Sequence, residues 1–327
     1  PEFMQPVVPG SGPARDLARV GFAGVQVDGP LGGLRNPNNT DEQFLVFNVF
    51  NAAALRDNIR ESAAELALFA DVVAPFHFDA ADCPGTGAGA PGEVRFDAAH
   101  FALMGHSMGA WIAPLTSAEA PRFGALVLSG AGGSYIANVM DKQHPTPVRM
   151  FAELLLGYQD RPLTAHDPGL SLLQWAAEPS DPQVYDARVV HAPDPGTAPR
   201  HVLMLQGIVD HYILPSIANA TSLALGLDQG GPAYDLDDAE LKMLAQTPLQ
   251  KLLPLAGRSL VTLPAAGNVD RKVTALVVQH PGDGIEDGHE VMFQSEPPKH
   301  QYRCFLASWL RGVPSVPADG PEEAPCP

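Results

Sequence analysis

Gly105-His106-Ser107-Met108-Gly109 reads Gly-x-Ser-x-Gly, and it lies between an apolar run, Phe101-Ala102-Leu103-Met104, and a small-residue helical pattern. A serine hydroxyl is a poor nucleophile unless it is held exposed beside a base. A sharp strand-to-helix turn holds it that way, and glycine on both flanks leaves room for the strained backbone. The N–H groups that open the helix point toward a developing oxyanion, with that of Met108 first among them. The chemistry this pattern supports is acyl transfer, with Ser107 attacking.

Such a serine needs a base, and the base needs an orienting carboxylate. The run His201–Gln206 leads into Gly207-Ile208-Val209-Asp210-His211-Tyr212-Ile213-Leu214-Pro215. The run Lys272–Gln279 is followed by Asp287-Gly288-His289-Glu290. Asp210 and His289 are therefore the expected acid and base. Asp181 and Asp186 compete for the acid role but sit in a Pro-rich stretch with no strand before it. His280 competes for the base role but ends the strand itself, whereas His289 lies a few residues beyond. Asp283, Glu286, Asp287 and Glu290 lack the fixed alternation of a calcium loop and read as solvated loop acids. His289-Glu290 lacks the second histidine of a zinc helix, so neither a metal nor a cofactor is expected.

These residues must be carried by strands and helices. Phe22–Asp28 predicts a strand, Asn51–Val73 a long amphipathic helix, and Asp79–Asp97 a loop. His100–Gly105 and Phe123–Leu128 predict strands around a helix over Ala110–Ala118. From 134 to 200 the alternation breaks into a Pro-, His- and Asp-rich stretch with helical pieces at Arg149–Leu156 and Leu170–Ala177. We read it as a helical cap whose apolar residues, Met150 and Trp175 among them, wall a substrate pocket with His106 and His211. A helix over Leu214–Leu225, a second insertion over 228–270, and a helix over Pro298–Leu310 follow. Residues 313–327 read as a frayed tail. The whole is one α/β domain with a mostly parallel sheet.

The GHSMG turn, the Gly-x-x-Asp-x-x-x-Pro segment and the Asp-Gly-His segment together resemble the α/β-hydrolase superfamily over most of residues 13–312. Asp28-Gly29-Pro30-Leu31-Gly32-Gly33-Leu34-Arg35 is similar to the Asp-x-Pro-x-His-Gly-x-Arg loop of bacterial extracellular lipases and esterases, with Gly32 where that loop usually has His. The resemblance implies a three-layer sandwich and a carboxylic-ester hydrolase acting on a small-molecule ester. A peptidase or amidase of the same fold, or a catalytically silent binding protein, are the alternatives. Serine at the elbow disfavours the dehalogenases of that fold, which generally use Asp. It also implies strands ahead of residue 13. Phe3–Val8 would supply a short third strand and Pro9–Gly12 the oxyanion loop, with Gly10 or Ser11 as second donor; an edge left open there would give a homodimer rather than a monomer.

Composition narrows the partners. The 327 residues carry a net charge of −17, which repels nucleic acid and anionic membranes. No apolar run approaches the roughly 18 residues of a membrane span. The 31 glycines and 33 prolines make the chain loop-rich without low complexity. Cys83, Cys304 and Cys326 match no metal or redox spacing and allow one disulfide at most; Cys83 and Cys326 read as bystanders. Pro1-Glu2-Phe3-Met4 has no leader character and reads as a cloning remnant, and the resemblance points to a secreted or periplasmic protein.

Overall fold

The computed structural model describes residues 12–327 apart from 39, 83–91 and 159. The oxyanion donors expected at Gly10 and Ser11, the strand expected at Phe3–Val8, and Cys83 lie outside those residues.

Among the described residues, six strands build one parallel sheet: β1 (Phe101–His106), β2 (Phe123–Ser129), β3 (His201–Ile208), β4 (Asp228–Gly230), β5 (Leu260–Val261) and β6 (Ala275–Pro281), in the order β1-β2-β3-β6-β4-β5. The central strands are near-continuous apolar runs because both of their faces are covered. Leu126, Leu128, Val202, Met204, Ala275 and Val277 pack on one side. Their chain neighbours Ala125, Val127, Leu203, Leu205, Leu276 and Val278 pack on the other.

Helices cover both faces and complete three layers. On the first side lie α3 (Met108–Glu119), α7 (Gln183–Val190) and α8 (Pro215–Leu225), through Ala110, Ala113, Val189, Val190 and Ile217. On the second lie α1 (Pro13–Ala18) and α9 (Glu296–Trp309), whose Tyr302, Phe305, Leu306 and Trp309 form the expected apolar face. The long helix α2 (Ala52–Val73) packs on α3, and Asn51 caps it by accepting from the Ala54 N–H at 3.1 Å. Between β2 and α7, α4 (Tyr135–Asp141) packs against both α5 (Val148–Leu155) and α6 (Pro168–Ala177).

Four expectations are corrected. Phe22–Asp28 has exposure alternating residue by residue but no regular secondary structure, and among the described residues it pairs with no strand; Val25 and Val27 are exposed. Alternation specifies an extended chain, and a ladder also needs an edge to join. The stretch 79–97 is not all loop, since His77–Asp79 and Glu93–Arg95 form an antiparallel ribbon. The segment 228–270 contributes β4 and β5 to the sheet rather than standing apart from it. The tail is not frayed: Ser315–Val316 pairs with Ala265–Ala266, Val316 is fully buried, and Cys326 is bonded to Cys304 of α9. No helix among the described residues is long and apolar enough to cross a membrane.

Candidate active site

Ser107 stands at φ 53° and ψ −117°, between the end of β1 and the first residue of α3. A non-glycine residue at positive φ is strained and persists where the surroundings hold it. Its own N–H donates to the Ser129 carbonyl at 2.9 Å, and its carbonyl accepts from the Trp111 N–H at 3.0 Å. The two flanking glycines are not equivalent. A Cβ on Gly105 would lie 2.4 Å from the Gly109 carbonyl oxygen, whereas one on Gly109 would meet nothing within 4 Å. The turn needs the first glycine sterically and not the second. The Met108 N–H opens α3 and belongs to the helix turn that has no intrahelical acceptor.

Asp210 and His289 meet as expected. Asp210 Oδ2 lies 2.8 Å from His289 Nδ1, and the two side chains are 2 % and 4 % exposed. The other carboxylate oxygen, Oδ1, accepts from the Tyr212 and Ile213 N–H groups at 2.9 and 2.7 Å. The carboxylate is thus fixed by its own turn while its free oxygen faces the imidazole. Backbone contact locks the acid and base loops together. The Gly288 N–H donates to the Val209 carbonyl at 2.9 Å. A Cβ on Gly207 would lie 1.7 Å from the Gly288 carbonyl oxygen, and one on Gly288 2.2 Å from that of Val209. These are the glycines of the two segments quoted for acid and base, and here their function is close approach rather than unusual φ.

Rings enclose the imidazole. Tyr212 stacks on His289 with centroids 4.6 Å apart and planes 19° from parallel. His106, the residue before the serine, lies 4.6 Å from it on a tilted plane and carries Phe293 on its edge. A hydrogen bond from His106 holds the Glu290 carboxyl below its ordinary pKa, against the opposing effect of burial. Gly130, at φ 55° just beyond β2, leaves the space His289 occupies: a Cβ there would come within 2.6 Å of its Cε1.

The rival residues have other partners. His280 Nε2 meets Gln301 Oε1 of α9 at 3.0 Å, and burial pushes its pKa down to about 4. Asp181 accepts from the Ser134 and Gln183 N–H groups and from the Gln174 amide. Asp186 is fully buried with no hydrogen-bond partner on either oxygen among the described residues, and burial raises its pKa well above the carboxylate range.

Two residues expected at the pocket, Met150 and Trp175, stand 59 % and 73 % exposed on α5 and α6. His211 is held between two carboxylates, with Nδ1 2.7 Å from Asp287 Oδ2 and Nε2 2.9 Å from Glu240 Oε1. Asp287 is no solvated loop acid: its Oδ1 accepts from the backbone N–H groups of both His211 and His289, at 3.1 and 2.9 Å. The Asp-x-His spacing is that of an Asx turn at a helix start, a signal that was present in the sequence. Lys142, Tyr212 and Gly130 carried no comparable signal. The Lys142 ammonium donates to the Tyr212 carbonyl at 3.3 Å, and burial depresses its pKa against the pull of Asp210. Beside it opens a cavity of about 440 Å³ lined by Lys142, His144, Arg149, Leu214, Leu244 and Gln246. Among the described residues two side-chain groups have donor atoms close enough to share a metal ion: His106 with His289 and Glu290, and His144 with His211 and Asp287. The first contains an imidazole already engaged with Asp210.

No protein-family model matches this chain, and no curated protein does. Among solved structures it is similar to acetyl xylan esterase 1 from Thermoanaerobacterium sp., with 18 % identity and a TM-score of 0.39. The aligned part covers 63 % of this chain and 54 % of the other, so the chain spans about half the length of that structure.

Proposed function

We propose that this protein is a serine carboxylic-ester hydrolase of the α/β-hydrolase kind, acting on short- to medium-chain esters through an acyl-enzyme. The observation that carries this reading is the buried Asp210–His289 pair, 2.8 Å apart, whose imidazole lies 4.6 Å ring to ring from His106, the residue before Ser107 in the strained turn. Ser107 Oγ attacks the ester carbonyl, and His289 Nε2 takes its proton. Asp210 holds the imidazole with Nδ1–H toward itself and stabilises the imidazolium. The Met108 N–H is one donor to the tetrahedral oxyanion. His289 returns the proton to the leaving alkoxide, and water then repeats the sequence on the acyl-enzyme. Helices α4 to α6 serve as the cap, and the exposed apolar side chains of α5 and α6 supply its acyl-facing surface. The Cys304–Cys326 disulfide supports an oxidising compartment, hence export.

Release of p-nitrophenol from acetate and butyrate esters tests the reading. Wild-type turnover that disappears in Ser107→Ala is expected. Turnover of aminoacyl anilides in preference to esters would move the assignment to a peptidase, and inertness toward both would move it to a binding protein.

A further inference from the structure

His211 carries a carboxylate at each ring nitrogen, Glu240 on Nε2 at 2.9 Å and Asp287 on Nδ1 at 2.7 Å. A neutral imidazole has one N–H and satisfies one of them. If that proton faces Glu240, the Nδ1 lone pair and the Asp287 oxygen face each other with nothing between them. A third donor atom lies close by, since His144 Nδ1 is 3.7 Å from the same Asp287 oxygen and its ring stacks on His211 with centroids 5.1 Å apart. Three donor atoms from three separate chain segments thus converge within 4.8 Å of one another.

We propose that His144, His211 and Asp287 form a binding site for a divalent transition-metal ion of the zinc class. Two imidazoles and one carboxylate suit zinc and its neighbours rather than calcium or magnesium, which take oxygen ligands. Donors about 2.0–2.1 Å from a tetrahedral zinc stand roughly 3.3 Å apart. The separations of 2.7 and 3.7 Å from the Asp287 oxygen straddle that value, and the third, between His144 and His211, is within 4.8 Å, so side-chain shifts of about 0.5 to 1.5 Å would seat the ion. The outer shell is already in place. Metal-bound histidines donate their other ring N–H to a carboxylate or carbonyl, and Glu240 is positioned to accept it from His211. The second oxygen of Asp287 is held by the N–H groups of His211 and His289, which fixes the carboxylate's orientation. His144 is half-exposed at the wall of the 440 Å³ cavity, which gives the ion an entry path and room for a water as fourth ligand.

The ion would join the end of α4 to the loops that carry Asp210 and His289. The Gln143 and His144 N–H groups already donate to the His211 carbonyl at 3.1 and 3.2 Å. None of its three ligands is a residue of the proposed triad, so zinc binding can be measured apart from the reaction assigned to Ser107.

The test uses the full chain without a polyhistidine tag, stripped with a chelator and titrated with zinc chloride by calorimetry. One zinc per chain is expected, with a melting temperature that climbs with the logarithm of free zinc. Cobalt(II) in its place should give the intense visible bands of a tetrahedral N/O site. His144→Ala should weaken binding by at least about 100-fold. Glu240→Gln, which touches no metal, should weaken it about 10- to 100-fold. His106→Ala should leave it unchanged. Absence of saturable one-to-one binding overturns the proposal. So does retention of affinity in His144→Ala, or loss of it in His106→Ala, which would place the ion in the other cluster. Far-UV circular dichroism confirms that each variant is folded before it is counted.

Discussion

The turns that bear Ser107, Asp210 and His289 and the helices α5 and α6 were both picked out by sequence pattern, yet they are held in different ways. The turns are fixed by backbone against backbone. Gly105 faces the Gly109 carbonyl, Gly207 the Gly288 carbonyl, and Gly288 the Val209 carbonyl, all at distances that admit no Cβ. The helices are fixed by packing on α4, while Met150, Leu154, Leu172 and Trp175 remain exposed. A site whose geometry must be met to a fraction of an ångström is built from main chain, which has no rotamers to lose. The exposed side chains of α5 and α6 have no such constraint on their geometry.

The contrast is broken most severely at Ser107, the proposed nucleophile. Ser107→Ala should reduce kcat by about 10⁴ to 10⁶, and adding His289→Ala should cost little more, because triad members act as a unit. Ester hydrolysis by the single and double variants measures this.

Next come the close glycines. Gly207→Ala and Gly288→Ala force a methyl into a carbonyl oxygen and should destabilise the protein by more than about 4 kcal/mol, the range reserved for disrupted buried structure. Gly109→Ala enters a helix with open space around it and should be neutral or stabilising by up to about 1 kcal/mol. Urea denaturation of the three variants separates these outcomes, and a stable Gly288→Ala would remove the backbone account.

A smaller effect belongs to His280, the buried histidine that pairs with Gln301. His280 has a pKa of about 4 in the fold against an ordinary value near 6.5 when unfolded. The unfolded chain therefore binds a proton that the folded chain refuses. Stability is lost as pH falls from about 6.5 toward 4, at about 1.4 kcal/mol per pH unit. Denaturation midpoints in this window should flatten in His280→Gln. His201, which accepts from the Thr274 N–H and is likewise pushed down to about 4, contributes in the same direction.

The smallest effect lies on the helices. Trp175→Ala and Met150→Ala should change stability by no more than about 0.5 kcal/mol, as for other surface sites. They should instead alter KM across p-nitrophenyl esters of increasing chain length. A flat KM profile would detach α5 and α6 from substrate binding.

Four of the six sheet strands could be read from the sequence because β1, β2, β3 and β6 are apolar runs, the pattern that burial on two faces imposes. The other two could not. β4 is Asp228-Gln229-Gly230, buried because Asp228 accepts from the Ser259 N–H and the Asn268 amide, both at 2.8 Å. Periodicity does not register a polar residue satisfied by partners thirty and forty positions away. Phe22–Asp28 shows the converse, a clear alternation without a ladder. Ser107, Asp210 and His289 were legible because each sits in a short segment whose glycines mark its turn. Asp287 was misread as a solvated acid because its side-chain partner, His211, lies 76 positions away. His144 gave no local cue at all.

The proposed hydrolysis depends on activation of Ser107 by His289. The most direct measurement is the intact mass of the protein after reaction with a p-nitrophenyl alkylphosphonate, followed by peptide mapping. We expect one phosphonyl group per chain, on Ser107, absent in Ser107→Ala and formed at least about 10³-fold more slowly in His289→Ala. Modification at another residue, or an undiminished rate in His289→Ala, would contradict the assignment.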